Sequence, residues 1–127
     1  MKNIDRWFIL IGLAYGIFGF AFGIWMGIGE HFDLAPVHAH INLAGFASML
    51  LFGLLYRAYP VLAESKLALL HFLIYTIGSV LFLAGIPLAQ AHQTIALAVI
   101  GSLSVLTGLL VLLANFLMNV FSAKARA

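Results

Sequence analysis

Residues 67–123 read LALLHFLIYTIGSVLFLAGIPLAQAHQTIALAVIGSLSVLTGLLVLLANFLMNVFSA and contain no Asp, Glu, Lys or Arg. A membrane-spanning helix needs roughly 20 mainly apolar residues. The segment is therefore long enough for two such helices and too long for one. Its sequence PLAQAHQ, residues 87–93, is the natural hinge. We predict a pair of transmembrane helices at about residues 67–88 and 94–121.

The first half of the chain predicts a second pair. Residues 7–28 form an uncharged run that is longer than the apolar core of a signal peptide, and no A-x-A cleavage site follows it. Proline is tolerated in the first turn of a helix, so Pro36 is expected to begin another helix at about residues 36–59. Pro60 is expected to end it. Lipid-facing backbone must be hydrogen-bonded within its own segment. We therefore expect an all-α integral membrane protein, a four-transmembrane-helix bundle forming a single domain of residues 1–127.

The composition supports a protein that has the lipid bilayer as its partner. The chain has 127 residues, of which 65% are hydrophobic and 8% charged, and its mean hydropathy is +1.15. A soluble domain of this size has too large a surface to hide so many apolar side chains. The net charge of +2 is too small for a nucleic-acid surface. The absence of cysteine excludes disulfides and iron–sulfur clusters.

The distribution of positive charge predicts the orientation. All six basic residues fall on one side of the predicted helices: Lys2, Arg6, Arg57, Lys66, Lys124 and Arg126. The other two connecting segments, residues 29–35 and 89–93, contain none. By the positive-inside rule, both termini are expected in the cytoplasm. We expect a multi-pass protein of a bacterial-type inner membrane.

Small residues recur along one face of the first and fourth predicted helices. The first carries Gly12, Gly16, Gly19, Gly23 and Gly27, and the fourth carries Ala98, Gly101 and Gly108 among the residues of its stripe. Such spacing lets another backbone or a flat macrocycle approach closely. It favours helix packing, within one chain or between subunits, over a ligand groove. Because four helices bury little around a cofactor, a homo-oligomer is the expected state.

The histidines are the most informative chemical groups. Four of them lie near the side whose loops contain no Lys or Arg, namely His31, His38, His40 and His92, whereas His71 lies near the opposite side. Imidazole is a common ligand of haem iron, copper and zinc. On a regular helix His38 and His40 point about 200° apart, so they can share one metal only if the first helical turn is distorted. His40 shares its face with Ala44 and Ala47, which leave room for a planar group.

Simpler interpretations stay open for each histidine. Near water a loop histidine needs no ligand, His38 can cap a helix, and His71 can be a packing residue. A copper or zinc site made of His31, His38, His40 and His92 is one alternative, and a cofactor-free assembly subunit is another. No H-E-x-x-H motif and no phosphate-binding glycine loop occur. Hydrolytic and nucleotide-driven functions therefore have no support.

The sequence HAHINLAGF, residues 38–46, followed by LFGLLY, residues 51–56, and Pro60 resembles the second helix of haem–copper oxidase catalytic subunits. It is most similar to the nitric oxide reductase and cbb3-type branches. In that family the histidine of this motif is an axial ligand of low-spin haem b. His40 occupies the matching position, and the glycine-rich first helix also fits the family.

The rest of the chain departs from the family. A catalytic subunit has about a dozen helices, whereas this chain has a predicted four and lacks both the His-Pro-Glu-Val segment and the His-His pair. The resemblance therefore implies a truncated relative without the copper site or the oxygen-reducing centre, and it assigns no enzymatic activity. It implies haem b on His40, beside Asn42, with His38, His92 or another subunit as second ligand. Electron transfer, or handling of haem or gas, is the implied function, with a respiratory-chain electron carrier as partner.

Overall fold

The computed structural model describes residues 3–121, and within them every regular element is helical and no strand occurs. The elements are α1 (Ile4–Ile28), a 3-10 turn (Phe32–Leu34), α2 (Ala35–His40), a π-helix (Ile41–Ala47), α3 (Ser48–Ala58), α4 (Val61–Glu64), α5 (Lys66–Gln90), α6 (Ala96–Phe116) and a second π-helix (Leu117–Phe121).

Four helical segments are long and apolar enough to cross a membrane. They are Ile4–Ile28, Phe32–Ala58, Lys66–Gln90 and Ala96–Phe121, and we refer to them as spans one to four. The prediction of four long apolar helices is confirmed. α5 runs through Pro87 to Gln90, so only the last three residues of the predicted hinge, residues 87–93, lie outside the helix. The chain turns around His92, whose φ of 55° is left-handed.

Spans three and four pack through glycines on both helices. Gly85 lies against the backbone of Ala98, and Gly101 lies against the backbone of Phe82. One or two turns further along, Gly78 meets Ser104 and Gly108 meets Tyr75. Without side chains at these positions the two backbones approach closely, which maximises van der Waals contact. The glycines of span four were predicted from the sequence as packing residues, whereas their counterparts on span three were not.

Span one packs its glycine face against span two of the same chain. A methyl group added at Gly16 would lie 2.7 Å from the Phe46 ring, and one added at Gly19 would lie 2.7 Å from Oδ1 of Asn42. At Gly23 it would lie 2.6 Å from Cε1 of His38. Gly27 has no described atom within 4 Å of such a methyl group. The packing interpretation is confirmed for this face, except at Gly27.

The two ends of the bundle differ in charge. At one end, here called the arginine end, Arg57 pairs with Asp5 at 3.3 Å, and Arg6 and Lys66 lie at the same level. At the other, the histidine end, Gln90 Nε2 donates to the Asp33 carbonyl at 2.9 Å and joins the two loops that carry His31 and His92. The remaining basic residues lie outside the described residues, namely Lys2, Lys124 and Arg126.

The core is larger at the arginine end. Its buried cluster includes Ile4, Phe8, Met49, Phe52, Tyr56, Leu62, Ala68, Tyr75 and Leu112 and draws on all four spans. Towards the histidine end the buried cluster consists of Val37, Ile41 and Leu83. The spans are therefore held together most extensively near the arginine end.

We predict that Gly19→Leu and Gly23→Leu each destabilise the protein, because a larger side chain must displace Asn42 or His38 from the seam between spans one and two. Overpacking of this kind costs about 1–3 kcal/mol. Thermal unfolding in detergent measures the effect. Gly27→Leu is the matched control and should leave the unfolding temperature unchanged. Equal unfolding temperatures of all three variants would contradict the assignment of Gly19 and Gly23 to the packed seam.

Candidate functional site

Span two changes helix type immediately after His40. The π-helix Ile41–Ala47 has wider turns than an α-helix, and its carbonyls receive additional donors. Ser48 Oγ donates to the Leu43 carbonyl at 2.8 Å, and the Tyr75 hydroxyl of span three donates to the Ala44 carbonyl at 3.1 Å. Short π-helical turns occur frequently at functional sites. No signal in the sequence predicted this one.

The imidazole of His40 is oriented by the backbone of its own helix. Its Nδ1 lies 2.7 Å from the Pro36 carbonyl oxygen. A carbonyl can only accept, so Nδ1 is the donor of this bond, and in the uncharged form of the ring the lone pair is on Nε2. Metal-binding histidines commonly have this arrangement, in which one ring nitrogen donates to a carbonyl and the other coordinates. Phe82 packs edge-on against the ring at 5.0 Å between centroids.

His38 has a different environment from His40. Its ring fills the space above Gly23 in the seam between spans one and two. Its closest hydrogen-bond contacts, to Asn42 Nδ2, are long at 3.4 and 3.5 Å. The Asn42 amide makes its shorter bond, 3.0 Å, to the His38 carbonyl. The structure therefore places His38 and Asn42 together, in the seam with span one, while His40 contacts span three.

Two crevices open between the spans towards the histidine end. The larger, about 560 Å³, lies beside His38 and Asn42 between spans one and two. The other, about 360 Å³, lies between spans one, two and three and is lined by Tyr15, Phe18, Phe22, Val37, Ile41, Val80, Leu83 and Ala84. His40 belongs to the lining of neither crevice. Its ring is half-buried at the surface of the bundle.

The loop histidines, His31 and His92, line neither of the two crevices. His31 is exposed and stacks on Trp25 at 4.6 Å between ring centroids, and His92 is exposed in its turn. Across residues 3–121, no three His, Cys, Asp or Glu side chains lie close enough together to hold a metal ion. Within one chain, the four histidines of the copper or zinc alternative are not assembled into a site.

His71 lies in the core near the arginine end, as part of a column of polar side chains. His71, Tyr75 and Ser79 follow at intervals of four residues on the inner face of α5, and all three are buried. The Tyr56 hydroxyl lies 3.1 Å from His71 Nδ1, and the Tyr15 hydroxyl lies 3.2 Å from Ser79 Oγ. This column was not predicted from the sequence, although the four-residue spacing of its members was a usable signal.

The second ring nitrogen of His71 is isolated. Its Nε2 is buried and has no hydrogen-bond partner among the described residues. Aromatic rings surround the imidazole: its centroid lies 4.8 Å from that of Phe52 and 5.0 Å from that of Phe8. The aromatic enclosure agrees with the interpretation of His71 as a packing residue.

Replacing Tyr56 by Phe should destabilise the bundle by about 1–3 kcal/mol, because His71 Nδ1 then loses its partner in the core. In the double variant Tyr56→Phe/His71→Phe the loss should be smaller than the sum of the two single losses, since no unpaired polar atom of this pair remains. Thermal unfolding in detergent provides both values. Tyr59→Phe, an exposed tyrosine at the same end, is the control. If Tyr56→Phe lowered the free energy of unfolding no more than Tyr59→Phe does, the hydrogen bond between Tyr56 and His71 would contribute nothing to stability.

In comparisons with known proteins, no family model matches the chain, and neither a curated protein nor a solved structure matches it. The chemistry of the five histidines is therefore the guide to function.

Proposed function

We propose that this chain is a small haem-b-binding protein of a bacterial-type inner membrane, with both termini in the cytoplasm and His40 as an axial ligand of the haem iron. The observation that carries the proposal is the bond between His40 Nδ1 and the Pro36 carbonyl, which leaves Nε2 with an available lone pair. The resemblance of residues 38–60 to the haem-binding helix of haem–copper oxidases supports the same residue.

The orientation is supported by the unequal ends of the bundle. The described basic residues are confined to the arginine end, whereas the loops of the histidine end contain Glu30 and Asp33 but no Lys or Arg. Positively charged loops stay on the cytoplasmic side during insertion. The proposed haem would lie in the half of the membrane away from the cytoplasm.

The surroundings of His40 suit a haem in chemical character. Phe82 packs against the imidazole, Ala39 and Leu43 are close to His40 in the sequence, and the ring is already held in one orientation. When bound, haem supplies one-electron redox chemistry and an iron centre for small gases. The chain itself would contribute an oriented imidazole next to the aromatic ring of Phe82. Electron transfer, or handling of haem or gas, fits these contributions, with a respiratory-chain electron carrier as partner.

The copper or zinc alternative receives less support, because its four histidines do not converge within the described chain. A cofactor-free assembly subunit would leave the Nε2 lone pair of His40 without a function. The absorption spectrum of the purified protein separates the three possibilities. A Soret band indicates haem, a colourless protein with stoichiometric metal indicates copper or zinc, and neither signal indicates the assembly subunit.

Topology can be tested with reporter fusions. A reporter placed after Ala127 should be active in the cytoplasm, and reporters inserted near Glu30 or His92 should be active in the periplasm, because the basic residues favour the cytoplasmic side. Enzymatic reporters specific for each compartment make the measurement. A cytoplasmic signal at either loop would contradict the proposed orientation.

His40→Ala should abolish haem binding or weaken it greatly, as measured by the Soret absorbance per mole of folded protein. Added imidazole should restore part of the absorbance by replacing the missing ring. His31→Ala removes an exposed histidine at the same end and is the matched control. It should keep the full absorbance.

His71→Phe should also retain haem, because His71 lies at the arginine end, several helical turns from His40. Full absorbance and an unchanged spectrum in His40→Ala would falsify the assignment. Haem loss in His71→Phe from a protein that remains folded would equally contradict it.

A further inference from the structure

The larger crevice, between spans one and two, combines an apolar lining with two polar side chains, those of His38 and Asn42. We refer to it as the His38 crevice. The other described residues that line it are apolar or glycine, and none of them is charged. Its volume of about 560 Å³ lies within the range of roughly 300–1,000 Å³ that is typical of small-molecule sites. Phe20 and Ile24 form an exposed rim, so the crevice is open along span one.

The two polar side chains of the His38 crevice have unused hydrogen-bonding capacity. The Asn42 amide donates to the His38 carbonyl at 3.0 Å, whereas its contacts to the two His38 ring nitrogens are long, at 3.4 and 3.5 Å. Within residues 3–121 no hydrogen bond reaches Asn42 Oδ1. A polar atom in apolar surroundings is unfavourable without a partner. A ligand that supplies such a partner is therefore bound more strongly than a purely apolar one.

Glycines of span one fix the positions of both polar groups. A methyl group added at Gly23 would lie 2.6 Å from Cε1 of His38, and one added at Gly19 would lie 2.7 Å from Oδ1 of Asn42. The imidazole and the amide thus pack directly against the backbone of span one. Groups that are already held in place bind a ligand at a smaller entropic cost.

We propose that the His38 crevice binds a neutral lipophilic molecule whose flat ring carries a hydrogen-bonding oxygen, the chemical class of a quinone and its quinol. A quinone carbonyl accepts from an N–H group of the His38 ring. A quinol hydroxyl donates to the lone pair of that ring or to Asn42 Oδ1. The long contacts to Asn42 do not fix the tautomer of His38, so the same residue serves both forms. Phe20 and Phe46 supply aromatic rings for a flat head to pack against.

The distribution of charge favours a neutral ligand over an anionic lipid headgroup. The loop before span two contains Glu30 and Asp33 but no Lys or Arg, and no described cation lines the crevice. Asn42 lies about 15 Å along span two from Phe32, at 1.5 Å per residue. The headgroup region on each side of a bilayer is only roughly 5–8 Å thick. A lipid acyl chain reaches this depth but offers no partner to His38 or Asn42.

This inference rests on the proposed function only in giving a chemical class to its electron carrier. Binding at His38 needs no haem on His40, because the two rings lie on different sides of span two. The His38 ring packs against Gly23 of span one, and the His40 ring packs against Phe82 of span three. The two sites can therefore be tested separately.

Tryptophan fluorescence provides a local measurement of binding. The chain has two tryptophans, and Trp25 lies between Ile24 and Met26, which both line the crevice. In Trp7→Phe, we expect a short-chain benzoquinone to quench Trp25 with a saturating titration curve in detergent. In Trp25→Phe, the remaining Trp7 lies at the arginine end, so its quenching should rise with quinone concentration without saturating.

A matched pair of variants tests the contacts in the Trp7→Phe background. His38→Phe keeps a ring against Gly23 and removes both ring nitrogens, and Asn42→Leu removes the amide at similar volume. Each should weaken binding of the benzoquinone and of its quinol about three- to tenfold, as expected for the loss of one hydrogen bond. His40→Phe makes the same replacement at a residue that lines neither crevice, and it should leave the affinity unchanged. Thermal unfolding checks that each variant is folded.

The possible outcomes separate this inference from the proposed function. Quenching of Trp25 that does not saturate overturns the site. Saturating quenching that neither His38→Phe nor Asn42→Leu weakens indicates an apolar crevice filled by lipid and also overturns it. Displacement of the quinone by an equal concentration of phospholipid or fatty acid does the same. Saturating binding that depends on His38, in a protein that binds no haem, overturns the proposed function and leaves this inference intact.

Discussion

Close packing of backbones at glycine is the constraint on which the rest of this structure depends. The four spans are long and apolar enough to cross a bilayer, and between helices that do so the hydrophobic effect provides no attraction, so association relies on van der Waals contact. Spans three and four make this contact at Gly85 and Gly101. Spans one and two make it at Gly16, Gly19 and Gly23. The second seam holds the His38 ring against Gly23. Because His40 follows two residues later, it contacts span three instead of span one.

The π-helix links this packing to the polar interior. Its Ala44 carbonyl accepts a hydrogen bond from Tyr75, the middle member of the buried column on α5. Tyr75 also contacts Gly108 of span four, so one side chain joins spans two, three and four. A loss of packing between spans three and four should therefore be transmitted to the segment just after His40.

Much of the architecture could be predicted from the sequence because it follows from local composition. Four apolar runs, their Pro and Gly boundaries and the separation of charge need no knowledge of distant contacts. The π-helix could not be predicted, since its carbonyls depend on donors such as Tyr75 that are distant in sequence. The bond from His40 to Pro36 likewise depends on the backbone path at the start of α2. Haem binding and membrane orientation remain predictions.

His40 and His71 show why bonding alone does not identify a ligand. Each has a partner on Nδ1 and no described partner on Nε2. The Pro36 carbonyl can only accept, so it settles the tautomer of His40, whereas the Tyr56 hydroxyl can donate or accept and leaves the tautomer of His71 undetermined. Aromatic rings also enclose His71, which leaves no surface for a cofactor to approach. Exposure and a defined tautomer together, rather than an unpaired nitrogen, distinguish the ligand candidate from the core histidine.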